Sequence, residues 1–326
     1  MSDAELSDRT DVQAAGDLPA RIAQMHGVFV VGVARSGTSL LKALLDGHPE
    51  LWVPPAESFA VDWCEAADPA AAFLALPRYD ALLPSGSLER KRVEQVLRRR
   101  FRRGMGPARA VITFLEALAS VTPPEAGATR WVEKTPKHLR IVPNLLSELG
   151  PRTRVICVVR DPRAVLASQA RRWERGRTTQ GMRHFARRWA TGDVLTRTLQ
   201  QQHGQFLAVR YEDLVEAPEK VMRDVADHLK VSWDDILVRP TRSGEPWGGN
   251  SSYGTQEASS GISAVSLRRF EEELPATLLR GVSRLLAPRM AHWGYETDCR
   301  MSRLSRWWLE LRAFQAARRV RTRWSD

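Results

Sequence analysis

Gly32 and Gly37 bracket the loop Gly32-Val33-Ala34-Arg35-Ser36-Gly37-Thr38-Ser39. Small residues let successive backbone N–H groups turn inward, where they can hold a phosphate. The spacing is that of the P-loop, G-x-x-x-x-G-K-S/T, but Thr38 stands where the lysine would be and Arg35 sits inside the loop. That lysine helps neutralise β- and γ-phosphates. Its absence argues against ATP hydrolysis and leaves a cradle for a singly esterified phosphate, served by backbone amides, Ser36, Thr38 and Ser39.

Four more polar clusters follow apolar runs. Glu57 comes after Leu51–Val53 and the rigid Pro54-Pro55 turn. Lys134 follows Thr129–Glu133, Arg160 follows Arg154–Val159, and Tyr211-Glu212-Asp213 follows Gln205–Val209. Carboxylates can move protons, and lysine and arginine can stabilise developing negative charge. Each residue also has a plain structural reading: Arg160 could pair with Asp161, and Lys134 with Glu133. Five such strand ends in one chain favour a shared site.

The elements that must position these residues can be read from periodicity. Gly27–Val33 reads as a strand and Thr38–Asp46 as a helix. Arg154–Val159 is the fully apolar run of a central parallel strand. Pro162 suits the first turn of the next helix, with Asp161 as its cap, which brings Ser168 near the face that starts at Arg160. Strands alternating with helices make a parallel α/β sheet the economical solution. The expected architecture is one P-loop-like domain with a central parallel sheet flanked by helices. Residues 1–20 read as a flexible leader, 21–300 as the domain, Phe59–Leu118 as a helical insertion and 301–326 as a basic amphipathic tail helix.

Composition narrows the class. The chain has 326 residues, 43% of them hydrophobic, enough for a sizeable core. The net charge of +11 suits either an anionic partner or arginine spread over solvated helix faces. The run at Arg98, Arg99, Arg100, Arg102 and Arg103 reads as such a face. Cys64, Cys157 and Cys299 form neither a disulfide framework nor a zinc spacing. The polar N-terminus is no signal peptide, and no apolar stretch approaches the ~20 residues that span a bilayer. These features favour the cytoplasm, with peripheral membrane contact left open. In the tail, Leu304, Trp307, Trp308, Leu311, Phe314 and Val320 alternate with arginines over 302–324. That pattern suits a membrane surface, self-association or packing on its own domain.

The segments GVARSGTSLLKALLDGHPEL, EKTPKH, VICVVRDPRAVLASQ, RYEDLVEAPEKVM and EPWGGNSSYG occur in that order. Together they resemble the sulfotransferases that use 3′-phosphoadenosine-5′-phosphosulfate (PAPS), in particular bacterial carbohydrate-type and tyrosylprotein enzymes. The resemblance covers roughly residues 27–295. It implies that Arg35, Ser36, Gly37, Thr38 and Ser39 hold the 5′-phosphosulfate, and that Arg160 and Ser168 hold the 3′-phosphate. Tyr211 would lie near the nucleotide, with Asn250, Ser251 and Ser252 in a loop that closes over it. Glu57 would be the general base, with His48 and Glu50 as fallbacks and His48 expected to be structural. Lys134 and Arg35 would stabilise the leaving group. No metal and no specific nucleic acid are implied. The product would be adenosine 3′,5′-bisphosphate, and the acceptor a small molecule, saccharide or glycolipid. A small-molecule P-loop kinase and a non-catalytic anion- or membrane-surface-binding protein are the alternatives.

Overall fold

The structure is a computed structural model that describes residues 18–76, 83–84, 86–102, 104–170, 178–249, 262–264 and 267–297. Five parallel strands form the sheet: β1 (His26–Gly32), β2 (Leu51–Trp52), β3 (Arg130–Lys134), β4 (Arg154–Val159) and β5 (Phe206–Arg210). Their spatial order is β2-β3-β1-β4-β5. The chain winds to one side of β1 and then to the other, so the order reverses there. In open parallel sheets ligands collect at this switch point, beyond the carboxyl ends of the strands.

Alternation along β1 divides the core. Phe29 and Val31 join Trp131, Cys157 and Leu139 in a cluster on one face. Val28 and Val30 join Val132, Ile156 and Val158 in a second cluster. Successive side chains of a strand point to opposite faces, and both faces are covered, hence the unbroken apolar runs. The second cluster is sealed by α1 (Thr38–Leu45), through Leu41, Leu44 and Leu45. The insertion supplies α2 (Ala60–Trp63), α3 (Pro69–Leu74), α4 (Leu88–Arg100) and α5 (Pro107–Ala119), which pack with α6 (Val142–Leu149) in the first cluster. A third cluster joins α7 (Pro162–Ala170) and α8 (Thr178–Gln202) to later helices. Between them in sequence lie α9 (Tyr211–Glu216) and α10 (Pro218–Leu229), and α11 (Phe270–Glu273) and α12 (Ala276–His292) follow.

Several boundaries differ from the sequence reading. Residues 18–24 are helical and Ile22 is fully buried, so regular structure begins before the expected boundary at residue 21, and residues 1–17 lie outside the described residues. Lys134 is the last residue of β3 rather than the first beyond it. A 3-10 turn over Pro136–Ile141 precedes α6. Pro275 separates α11 from α12, since the residue before a proline avoids helical geometry. The long loop from Pro240 opens with a hairpin, β6 (Thr241–Arg242) and β7 (Glu245–Pro246). Arg98 pairs with Glu94 and Asp68 at the surface, and Arg100 reaches inward to the buried Glu116. Asn250, Ser251, Ser252, Cys299 and the tail lie outside the described residues. Among the described residues no helix is long and apolar enough to cross a membrane.

Candidate active site

The loop after β1 is held in the shape its glycines permit. Gly37 has φ 99° and caps α1 without any side-chain hydrogen bond. Leu40 and Leu41 donate to the Gly37 carbonyl, so the amides that open α1, those of Thr38 and Ser39, are the ones offered to a ligand. A Cβ on Gly37 would run into the Tyr211 ring. Arg35 also adopts left-handed geometry, with φ 78°, a conformation that costs a non-glycine residue about 1–3 kcal/mol and gathers at functional sites. Ser36 is buried, and its Oγ has no hydrogen-bond partner among the described residues. A buried hydroxyl without a partner carries a desolvation cost that a bound anion would offset.

Arg35 points along the loop to α7, where its Nε donates to Ser168 Oγ at 2.8 Å. Arg160, the residue after β4, donates from Nη1 to the Arg35 carbonyl at 3.4 Å. Its guanidinium lies 4.1 Å from the centre of the Tyr211 ring, a cation–π contact that fixes both groups. Gln169 Nε2 donates to the Ala34 carbonyl at 3.2 Å. Loop, β4 end, α7 and β5 end thus converge. Asp161 is engaged by Arg163 and not by Arg160, and its Oδ1 accepts from the Arg163 amide at 2.8 Å, as a helix cap does.

A second group gathers beyond β2 and β3. Lys134 Nζ donates to Glu57 Oε1 and also reaches Ser39 Oγ at 3.4 Å. Glu133 points the other way, into the core, and does not pair with Lys134. It accepts from the Ser58 amide at 3.0 Å, from Ser58 Oγ at 2.8 Å and from Thr135 Oγ1 at 2.6 Å, and meets His138 Nδ1 at 2.8 Å. Burial alone would push this carboxyl up. The His138 contact and the hydrogen bonds outweigh it and hold the group down at about 2. Ser58 directly follows Glu57, so Glu133 fixes the segment that presents Glu57. The two fallback candidates are bonded elsewhere. His48 Nε2 meets the Ser232 carbonyl at 2.9 Å, and Glu50 accepts from the Ser232 amide at 2.8 Å. Both tie the turn before β2 to the chain beyond α10.

A cleft of about 180 Å³ opens beside this group, lined by Ser39, Lys42, Glu57, Lys134, Arg242 and Trp247 among others. Lys42 was not singled out from the sequence. It lies one turn into α1, and its Nζ donates to the Pro54 carbonyl at 2.6 Å. Burial and then the charge on Lys134 push it down to about 8. Its spacing of four from Thr38 was the available signal, since residues four apart share a helix face. Glu133 carried none beyond its place at a strand end.

Arg35, Ser36, Gly37, Thr38, Ser39, Arg160, Ser168 and Tyr211 therefore meet around one loop, with Glu57 and Lys134 at its helix end.

Protein-tyrosine sulfotransferase 2 of Gallus gallus is 26% identical over 288 residues, covering 84% of this chain and 70% of the relative. Nodulation protein NoeE of Sinorhizobium fredii is 28% identical over 219 residues, covering 61% of this chain and 48% of that protein. The sulfotransferase domain from the Synechococcus PCC 7002 olefin synthase superposes with a TM-score of 0.60 at 20% identity, covering 84% of this chain and 95% of that one, a likeness of fold. The profile of the Sulfotransferase family matches residues 27–235, from β1 to beyond α10 and well over half of the chain. The chain belongs to the sulfotransferase family.

Proposed function

We propose that this protein transfers a sulfuryl group from PAPS to a hydroxyl, or an amine, of an acceptor such as a small molecule, saccharide or glycolipid. One observation carries the reading. An uncapped helix start, a buried hydroxyl without a partner and two guanidiniums surround one loop, and a carboxylate and an ammonium stand at its helix end. The donor set fits a nucleotide with a 5′-phosphosulfate and a separate 3′-phosphate. The 5′ end would rest on Ser36, Gly37, Thr38 and Ser39. Arg160 and Ser168, from the end of β4 and from α7, would take the 3′-phosphate, with arginine offering a bidentate fork. Tyr211 backs both regions through its contacts with Gly37 and Arg160. Asn250, Ser251 and Ser252 remain candidates to close over the nucleotide.

The bound nucleotide supplies the sulfuryl group and leaves as adenosine 3′,5′-bisphosphate. Glu57 accepts the proton of the acceptor hydroxyl as general base. Lys134 turns from Glu57 and Ser39 toward the oxygen on which charge grows, and Arg35 acts on the same charge from inside the loop. The test is a calorimetric titration paired with transfer of labelled sulfate from PAPS to an acceptor panel. Adenosine 3′,5′-bisphosphate binding and labelled product are expected. Preferential binding of ATP with Mg²⁺ would overturn the reading in favour of a kinase.

A further inference from the structure

A second cavity, of about 250 Å³, opens at the strand end of the same loop. Its floor is Gly32, Val33 and Ala34. One wall is Pro136 and Lys137, two and three residues beyond Lys134, together with Arg140. The other wall is α8, through His184, Arg187 and Arg188. Gly192 sets the distance between the walls, because a Cβ there would run into Val33.

The charge on these walls is one-sided. Lys137 is paired with Asp62 at 2.8 Å. Among the described residues no carboxylate pairs with Arg140, Arg187 or Arg188, although surface arginines elsewhere in the chain take acidic partners. Arg140 and Arg188 are close enough to act on each other. Desolvation in the cavity wall, and then the charge on Arg140, lower Arg188 from its usual value. The three arginines are exposed along the cavity, and like charges gathered there repel one another, a cost that a bound anion would relieve.

We infer that this cavity anchors the acceptor by an acidic substituent (a phosphate, a sulfate ester or a carboxylate), so that the acceptor is a small anionic molecule or an acidic saccharide. The inference rests on the sulfuryl-transfer reading, because that reading makes Arg35 and Lys134 the reacting end. The cavity shares its frame with that end: Ala34 in its floor directly precedes Arg35 in the chain, and Pro136 in its wall comes two residues after Lys134. Guanidinium forks suit planar carboxylates and tetrahedral esters alike. The volume suits a charged head group, whereas drug-sized ligands fill about 300–1,000 Å³.

The experiment uses the full chain with its nucleotide site filled by adenosine 3′,5′-bisphosphate. Inorganic phosphate, sulfate and acetate are then titrated calorimetrically into the wild type, Arg140→Ala/Arg188→Ala, Arg140→Lys/Arg188→Lys and the surface control Arg98→Ala. Saturable binding of one anion per chain is expected in the wild type and in Arg98→Ala. The alanine pair is expected to lose about tenfold or more in affinity, and the lysine pair to fall between. A preference for the tetrahedral anions indicates an ester-bearing acceptor, and a preference for acetate a carboxylate. Absence of saturable binding in the wild type, or equal binding in the alanine pair, overturns the inference. Failure of adenosine 3′,5′-bisphosphate to bind sinks the nucleotide reading instead, and the anion titrations still report on the cavity.

Discussion

Lys134 and Glu57 meet across the mouth of the cleft, the lysine from the last position of β3 and the glutamate from the loop that leaves β2. Their side chains are 6% and 26% exposed, so the carboxylate is reachable while the ammonium is nearly enclosed. Ser39 Oγ lies 3.4 Å from Nζ. In the proposed reaction Lys134 leaves both for the oxygen on which charge grows, which frees Glu57 to meet the acceptor. Glu57→Gln keeps the size and loses the base. It is expected to lower kcat by about 10²–10⁴-fold, with little change in adenosine 3′,5′-bisphosphate affinity. Steady-state kinetics and calorimetry check this, and near-normal turnover would remove Glu57 from the mechanism.

Arg160 and Ser168 face the loop from successive elements but differ in their bonds. Ser168 holds Arg35, while Arg160 rests on Tyr211 and the Arg35 carbonyl. A hydrogen bond to a charged group contributes about 1.5–3 kcal/mol. Arg160→Ala is therefore expected to weaken adenosine 3′,5′-bisphosphate binding by about 10–100-fold, and Ser168→Ala by less. Calorimetry on the two variants is the check. Unchanged affinity in both would move the 3′-phosphate elsewhere.

Glu133 is an acid-sensitive anchor. Its carboxyl sits at about 2, below an ordinary 4.5. The unfolded chain therefore binds a proton more readily across that interval, and stability falls as pH falls. The contribution is full above about 4.5 and fades toward 2. Glu133→Gln removes the charged acceptor shared by Ser58, Thr135 and His138, and a hydrogen bond to a charged group contributes about 1.5–3 kcal/mol. Thermal melts of both proteins should differ most near neutral pH and converge as the solution is acidified. A gap that stays constant with pH would show that folding does not lower the Glu133 carboxyl.

Much of the site was legible because its polar residues sit at or beyond strand ends, Lys134 as the last of β3 and Arg160 as the first after β4. Val28–Val31 and Arg154–Val159 are unbroken apolar runs because both sheet faces are covered, and Gly32 and Gly37 mark where backbone must turn. Adjacency in sequence misled only where side chains alternate. Glu133 and Lys134 are neighbours that point to opposite sides, one to His138 and one to Glu57, 77 residues away. Pairings at that distance leave no periodic trace. The second cavity was illegible for the same reason: Arg140 and Arg188 each read alone as a solvated arginine, and only the approach of α8 to Val33 brings them together.

Lys42 supports the same mouth from the opposite side. Its ammonium donates to the Pro54 carbonyl, three residues before Glu57. It is pushed down to about 8 from an ordinary 10.5, by burial and then by Lys134. A lysine lowered in this way opposes folding while charged. Between about 8 and 10.5 the unfolded chain holds a proton that the folded chain has released, so stability from this group rises with pH across that window. A neutral amine still donates to Pro54, so the loop stays tied after deprotonation. Lys42→Met removes both the titration and the tie. Denaturant melts from about pH 7 to about pH 10.5 should show the wild type gaining on Lys42→Met as pH rises. Other titrating groups cancel in that difference, so a flat gap would mean that Lys42 titrates as an ordinary lysine and that the cleft wall is wet.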